Sequence, residues 1–134
     1  MRPQDATVLV IDDNMSNLLV AKDLLAMSGV ANVHTTTMGW QGLQLARSLQ
    51  QLDLILLDIQ MPQEDGFAIL HQIRKDQQLR DTRVVAVTIT IQPHDEAKLQ
   101  AAGFNGFICK PLDYRRFPEQ LAALLDGKEV WTSR

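Results

Sequence analysis

Two uninterrupted apolar runs in this chain end in aspartate, and this pattern constrains the fold more than any other feature. Residues 8–11 are followed by Asp12 and Asp13, and residues 54–57 are followed by Asp58. Continuous apolar runs are typical of parallel strands that are buried on both faces of a sheet. Because open α/β sheets place their sites at the carboxyl ends of such strands, we expect the three carboxylates to meet in one crevice.

Three carboxylates in one crevice predict a bound cation. Negative charges within a few ångströms repel each other strongly unless a cation lies among them. All-oxygen ligation that includes bound water suits a hard divalent ion, and Mg²⁺ above all. The sequence therefore predicts a magnesium site at Asp12, Asp13 and Asp58.

Strand and helix patterns alternate along the whole chain. Strands are predicted at residues 7–11, 33–36, 54–58, 84–88 and 107–109. Helices are predicted from the cap Asn14 to Gly29, at 38–49, around Phe67, Leu70 and Ile73, at 95–102, and around Leu121, Leu124 and Leu125 up to Gly127. Regular alternation of this kind predicts a parallel sheet with helices on both faces.

Composition favours one globular domain and excludes several other classes. Apolar residues make up 46% of the 134 residues, and the net charge of −3 comes without the basic stripe of a nucleic-acid binder. No apolar run could span a bilayer, and the first residues lack the apolar core of a signal peptide, so we expect a cytoplasmic protein. The single cysteine, Cys109, excludes an internal disulfide framework and a cysteine-based metal site.

Two further polar residues end the fourth and fifth predicted strands, at the same edge of the sheet. Thr88 ends the fourth strand, and Lys110, followed by Pro111, ends the fifth. A hydroxyl and an ammonium beside carboxylates are suited to an added anion, such as a phosphoryl group on Asp58. The chemistry would be nucleophilic attack by a carboxylate on phosphorus.

Taken together, these motifs resemble those of response-regulator receiver domains, the family that includes the chemotaxis response regulator. The matching elements span residues 7 to about 126 and are Asp12-Asp13, Asp58, residues 61–66, Thr88 and Lys110-Pro111. The resemblance implies a flavodoxin-like fold, with a doubly wound five-stranded parallel sheet in the order 2-1-3-4-5 and five flanking helices. We expect a single domain over residues 1–134, with its core at 7–126 and a short tail at 127–134.

The resemblance also implies a role for each residue of the acidic crevice. Asp58 resembles the phosphoacceptor, Asp13 a direct Mg²⁺ ligand, and Asp12 a ligand that acts mainly through water. The backbone carbonyl of Gln60 would complete the protein ligands. Lys110 resembles the lysine that pairs with a phosphoryl oxygen, with a cis peptide bond after it.

Two more positions resemble the conformational switch of the family. Thr88 takes the place of the switch hydroxyl and Phe107 that of the switch aromatic. Ile89 departs from the family pattern, because alanine or glycine is usual there, and its branched side chain could restrict access to the site. Pro118 falls early in the last predicted helix, so the sequence does not define the residue at which this helix begins.

The implied function is a switch in two-component signalling and not an enzyme, with only slow self-catalysed phosphorylation and dephosphorylation. The phosphoryl donor would be a histidine kinase or a phosphotransfer protein. Phosphorylation would change a surface that binds a downstream protein or a second copy, without direct binding to nucleic acid or membrane.

Three alternative functions fit the sequence less well. A pseudo-receiver that binds partners without phosphate is supported only by Ile89, since every acid, the threonine and the lysine are present. A haloacid-dehalogenase phosphatase would place two aspartates two residues apart after the first strand, whereas Asp12 and Asp13 are adjacent. A dinucleotide-binding enzyme would need G-x-G-x-x-G at that place, where residues 12–17 have no glycine.

The sequence also predicts the surroundings of three side chains outside these motifs. Trp40, in the second predicted helix, is expected to pack against the interior. Trp131 lies beyond the last predicted helix, which leaves a partner contact or self-association open. Cys109 is expected to be a small buried side chain.

Overall fold

A parallel sheet forms the centre of the computed structural model, which describes residues 1–89 and 93–131. Its strands are Thr7–Ile11 (β1), Asn32–Thr36 (β2), Leu54–Asp58 (β3), Arg83–Thr88 (β4), Gly106–Cys109 (β5) and Val130–Trp131 (β6). The strand order is β2-β1-β3-β4-β5-β6, with every neighbouring pair parallel. The order of the first five strands confirms the prediction, and β6 is an unpredicted strand within the expected tail.

The helices cover both faces of this sheet, as the alternating pattern predicted. They are Met15–Met27 (α1), Gly39–Ser48 (α2), Gly66–Lys75 (α3), Pro93–Ala102 (α4) and Phe117–Leu125 (α5), preceded by a short 3₁₀ turn at Pro3–Asp5. None of the helices within residues 1–89 and 93–131 has the length and apolar character required to cross a bilayer.

Two apolar clusters lie on opposite faces of the sheet. Alternate residues of β1 point to opposite sides, so that Leu9 contributes to the cluster under α2, α3 and α4, and Val8 to the cluster under α1 and α5. Every residue of β1 and β3 is buried. Coverage on both faces is the physical reason that these two strands are continuous apolar runs.

Local signals set the ends of the helices. The Asn14 side chain accepts a hydrogen bond from the Asn17 N–H at 3.0 Å and so caps α1. Gly29 follows the helix with a φ of 97°, in the left-handed region that favours glycine. Pro118 is the second residue of α5, where a missing N–H removes no hydrogen bond within the helix, so α5 begins at Phe117.

The packing prediction for Trp40 was wrong, and the prediction for Cys109 was confirmed only in part, since Cys109 packs against the core without full burial. Trp40 is 57% exposed, because the buried side of α2 consists of other positions: Gly39, Gly42, Leu43 and Ala46. Cys109 is only partly buried, because it lies at the carboxyl end of β5, where its thiol donates to the Ile89 carbonyl at 2.8 Å. Trp131, by contrast, is partly buried and packs against the cluster under α2, α3 and α4.

Candidate functional site at the carboxyl edge of the sheet

Three carboxylates meet where β1 and β3 end. Asp12 and Asp13 directly follow β1, and Asp58 is the last residue of β3. Oxygen atoms from the three side chains all lie within 4.8 Å of one another. Asp12 and Asp58 are buried, whereas Asp13 is exposed. The crevice is therefore accessible to solvent on the Asp13 side and enclosed on the other.

Lys110 brings a positive charge into contact with two of these acids. Its Nζ lies 2.8 Å from Asp12 Oδ2 and 3.3 Å from Asp58 Oδ2, and its side chain is 13% exposed. Lys110 follows the last residue of β5 and is joined to Pro111 by a cis peptide bond. One ammonium cannot neutralise three carboxylates, so the described site retains a net negative charge that favours a cation.

Backbone N–H groups fix the orientation of the two buried carboxylates. The Asn14 N–H donates to Asp12 Oδ1 at 2.9 Å, and the Gln60 N–H donates to Asp58 Oδ1 at 2.9 Å. In both cases the second carboxylate oxygen faces Lys110. Each buried acid is thus oriented by one backbone donor and one charged donor before any ligand binds.

Burial raises the pKa of Asp58 above its ordinary value. The Gln60 N–H and the charge on Lys110 act in the opposite direction, while the neighbouring charge on Asp12 raises the pKa further. Removal from water disfavours the ionised form of a carboxyl group. A cation that binds beside Asp58 would therefore favour the ionised form, which is the nucleophilic one.

Two features fix the conformation of the segment that follows Asp58: a β-bridge and a tight backbone contact at Gly66. Gln60 and Asp65 form an isolated antiparallel bridge, and the Asp65 side chain caps α3 by accepting from the Phe67 N–H at 2.9 Å. A Cβ at position 66 would lie 2.6 Å from the Ile59 Cα, so only glycine fits there. This geometry explains the Asp65-Gly66 pair physically, because it keeps the Gln60 N–H beside Asp58.

Thr88 places an unpaired hydroxyl beside this cluster of strand ends. It is the last residue of β4 and fully buried, and its Oγ1 has no hydrogen-bond partner within residues 1–89 and 93–131. A buried polar group without a partner costs about 1–3 kcal/mol, so its presence needs an explanation. An acceptor that arrives with a ligand would satisfy this hydroxyl.

Phe107, the predicted switch aromatic, lies away from the acids in the middle of β5. Its side chain is fully buried in the cluster under α2, α3 and α4. In the sheet it is paired with Ala86 of β4 on one side and with Trp131 of β6 on the other. The structure therefore places Phe107 on the same short strand that leads to Lys110.

Ile89 lies at the rim of a cavity that opens beside Asp58. The side chain of Ile89 is 61% exposed. The cavity has a volume of about 360 Å³, and its lining includes Asp58, Lys110, Ile89 and Val20 of α1. A small donor that approaches through this cavity would pass the branched side chain of Ile89.

Glu64, in the segment after Asp58, forms a helix-capping contact that the sequence did not indicate. Its two carboxylate oxygens accept from the Gly39 N–H at 2.7 Å and from the Trp40 N–H at 3.0 Å. The side chain therefore caps α2 from the segment that follows Asp58, whereas Met38 at the N-cap offers no side-chain hydrogen bond. No local pattern links residues 25 positions apart, so only the tertiary structure reveals this contact.

The crevice suits Mg²⁺ by its donor set. Asp12, Asp13 and Asp58 supply carboxylate oxygens and no nitrogen or sulfur ligand, which is the chemistry that hard divalent cations prefer. The raised pKa of Asp58 agrees with a site that is incomplete without a positive charge.

Comparisons with known proteins agree with this geometry. The chain matches the family model of the response regulator receiver domain over residues 8–122. It is 34% identical to the polar-differentiation response regulator DivK of Brucella ovis over 119 residues, which cover 89% of this chain and 95% of DivK.

Solved structures show the same fold. The chemotaxis response regulator CheY4 of Vibrio cholerae is 26% identical with a TM-score of 0.80, over 89% of this chain and 98% of CheY4. The signal receiver domain of a signal transduction histidine kinase from Syntrophus aciditrophicus is 26% identical with a TM-score of 0.77, over 91% of each chain. With its acidic crevice, its lysine and its strand order, this chain belongs to the response regulator receiver domains of two-component signalling.

Proposed function

We propose that Asp58 accepts a phosphoryl group from a phosphohistidine and that this modification switches a protein-binding surface. The donor would be a histidine kinase or a phosphotransfer protein. The observation that carries the proposal is the surrounding of Asp58: a buried carboxylate beside two other acids, with Lys110 Nζ at 3.3 Å. The hydroxyl of Thr88 at the end of the next strand supports it, because this group has no hydrogen-bond partner in the described part of the chain.

The proposed transfer is a displacement at phosphorus. A carboxylate oxygen of Asp58 forms the new O–P bond, and the N–P bond of the phosphohistidine breaks. The imidazole, which carries a proton on its other ring nitrogen, leaves with the electron pair of that bond and so becomes neutral histidine. Asp58 becomes an acyl phosphate, and Lys110 is near enough to pair with one of the phosphoryl oxygens.

Mg²⁺ is the cofactor that these residues fit. Asp12, Asp13, Asp58 and the backbone carbonyl of Gln60 would hold it, in line with the acidic cluster and the family. When bound, the ion supplies positive charge that offsets the repulsion between the acids and an incoming phosphoryl group. Asp12 would keep its contact with Lys110 at the same time, since one of its oxygens lies 2.8 Å from Nζ.

Thr88 would couple phosphorylation of Asp58 to a conformational change in the rest of the domain. Its hydroxyl could donate to a phosphoryl oxygen and so gain the partner that it lacks among the described residues. Phe107 is the proposed second part of the switch, and a downstream protein or a second copy is the proposed reader.

Phosphotransfer with labelled phosphate tests the proposal. The protein is incubated with a phosphorylated histidine kinase or phosphotransfer protein from the same organism, with Mg²⁺ or with excess chelator. We expect label on wild type with Mg²⁺ only, and none on Asp58→Asn. The exposed Asp81→Asn serves as the matched control and should be labelled normally.

Two results would contradict the proposal. Retained label in Asp58→Asn would exclude Asp58 as the acceptor. Absence of label with every donor, together with unchanged binding to a protein partner, would favour the phosphate-independent pseudo-receiver instead.

A further inference from the structure

The additional strand β6 lies along the edge of β5, where the sequence predicted only a tail. Val130 pairs with Gly106, and Trp131 pairs with Phe107, in parallel register. The two β6 side chains pack on opposite faces of the sheet, Val130 against the cluster under α1 and α5 and Trp131 against the other cluster. This short strand therefore touches both cores of the domain.

The contact between β6 and β5 depends on a glycine. A Cβ at position 106 would lie 2.5 Å from the Val130 carbonyl oxygen, and its three nearest heavy atoms would all belong to Val130. Real Cβ atoms do not approach other atoms so closely. The strands can lie this near to each other only because residue 106 has no side chain.

Hydrogen bonds of Lys128, two residues before β6, hold the start of the segment in place. The Arg83 side chain of β4 donates to the Lys128 carbonyl, and the Lys128 N–H donates to the Ala123 carbonyl of α5 at 2.9 Å. Within the segment, the Trp131 indole N–H donates to Glu129 at 2.9 Å. The two Lys128 bonds therefore connect the segment to β4 and α5.

β5 is the strand that presents Lys110 to the acids. It has only four residues, and Lys110 follows directly after them. The Lys110 N–H donates to the Thr88 carbonyl at 2.6 Å, while its Nζ contacts Asp12 and Asp58. Without β6, β5 would be paired with β4 alone, and an edge strand with one neighbour is less constrained than a strand paired on both sides.

We propose that β6 supports β5 and thereby acts as a positioning element for Lys110. The inference rests on the proposed function of Asp58, because the lysine is positioned for an anion on that residue. The carboxylates lie at the ends of β1 and β3, and neither of these strands pairs with β6. Displacement of β6 should therefore weaken the binding of a phosphoryl-like anion while leaving the affinity for Mg²⁺ nearly unchanged.

The test compares wild type with full-length Gly106→Ala. Beryllofluoride, a stable mimic of a phosphoryl group on a carboxylate, is titrated by calorimetry in saturating Mg²⁺, and Mg²⁺ is titrated alone. We expect beryllofluoride affinity to fall about three- to tenfold, the change that corresponds to partial loss of one hydrogen bond to a charged group. The Mg²⁺ affinity should change less than twofold.

A fluorescence control shows whether β6 has moved. In a Trp40→Phe background, which removes the exposed second tryptophan, Trp131 is the only remaining tryptophan and can be excited selectively. Gly106→Ala should shift its emission to longer wavelength and raise its quenching by acrylamide. Trp40→Phe alone is also the matched control for affinity and should bind beryllofluoride as wild type does.

A double-mutant cycle assigns the effect to the lysine. In a Lys110→Ala background, Gly106→Ala should cause no further loss of beryllofluoride affinity, because the group that β6 positions is gone. Trp131→Ala provides a second way to loosen β6 and should behave like Gly106→Ala. A merely structural role for β6 would lower both affinities together and would persist in the Lys110→Ala background.

Two outcomes would overturn the inference at different levels. Equal beryllofluoride affinity in wild type, Gly106→Ala and Trp131→Ala would reject the positioning role of β6 and leave the proposed function intact. Failure of wild type to bind beryllofluoride with Mg²⁺ would reject the proposed function and this inference with it.

Discussion

At the scale of single residues, the site combines two groups that each cost free energy in the domain without ligand. Burial raises the pKa of Asp58, and Thr88 Oγ1 has no hydrogen-bond partner among the described residues. Both conditions would be relieved by ligands of opposite character, a cation for the carboxylate and an acceptor for the hydroxyl. This combination is expected of a residue set arranged for a bound state and not for maximal stability.

Thr88→Val should stabilise the domain without ligand and weaken its response to a phosphoryl mimic. Valine keeps the shape of threonine and removes the unpaired hydroxyl, so the free energy of unfolding should rise by about 1–2 kcal/mol. Urea denaturation in chelator measures that change, and beryllofluoride titration should show a loss of about tenfold. Thr35→Val, an exposed position on β2, is the control. A less stable Thr88→Val would show that the hydroxyl has a partner.

Ile89→Ala should accelerate phosphorylation by small donors. Ile89 lines the cavity beside Asp58 and is 61% exposed, so its shortening widens the approach and removes little packing. Acetyl phosphate phosphorylation and hydrolysis of the acyl phosphate should both become faster, while stability should change by less than about 0.5 kcal/mol. Leu19→Ala, equally apolar and 55% exposed on α1, should change neither rate. If neither rate rises in Ile89→Ala, the side chain does not limit access.

At the scale of secondary-structure elements, the segment between β3 and α3 connects the site to α2. Gln60 binds Asp58 through its N–H, and Glu64 caps the first turn of α2. A carboxylate at a helix N-terminus satisfies free N–H groups and interacts favourably with the helix dipole. The segment that contacts Asp58 thus also contacts the start of α2, where Trp40 is exposed.

Glu64→Ala should destabilise the domain through loss of this cap. Two N–H groups of α2 would lose their acceptor, which is worth about 1 kcal/mol, within a range of about 0.5–2 kcal/mol. Thermal and urea unfolding measure the loss, and the exposed neighbour Gln63→Ala is the control. Equal stability of the two variants would mean that water replaces the carboxylate at no cost.

At the scale of the whole molecule, burial of apolar side chains is the favourable contribution that can balance the energetic cost of the groups at the site. Two apolar clusters lie on either side of the sheet, and each fully buried large aliphatic side chain contributes about 1.5–3 kcal/mol. Such cores can offset the unfavourable groups at the carboxyl edge. The energetic cost of the site should then appear as a change in the free energy of unfolding with pH and with Mg²⁺.

Asp58→Asn should be more stable than wild type at neutral pH in chelator. The folded state raises the pKa of Asp58, so it binds the proton more tightly than the unfolded state. The stability that Asp58 contributes is present below the ordinary pKa of 3.8 and is lost as pH rises through the folded pKa. The advantage of Asp58→Asn should therefore appear as pH rises and should vanish near pH 3.

Urea denaturation across this pH range, with and without Mg²⁺, measures the effect. Mg²⁺ should stabilise wild type by mass action and reduce the difference between the two proteins. A wild type that is more stable than Asp58→Asn in chelator at neutral pH would contradict the raised pKa.

The sequence by itself determined the order of the elements and the position of the acids. Continuous apolar runs indicate strands that are buried on both faces. Because the carboxyl ends of parallel strands lie at one edge of a sheet, the sequence alone predicted that Asp12, Asp13 and Asp58 lie together. These inferences succeed because periodicity and strand direction are local properties of the chain.

Only the tertiary structure decided the contacts between distant segments. The cap that Glu64 provides for α2, the pairing of β6 with β5 and the exposure of Trp40 all depend on how elements pack. The lack of a partner for the Thr88 hydroxyl within residues 1–89 and 93–131 is likewise a property of the surroundings and not of the residue. Side-chain contacts across 20 or more residues leave no periodic signal, and for that physical reason the folded arrangement alone defines them.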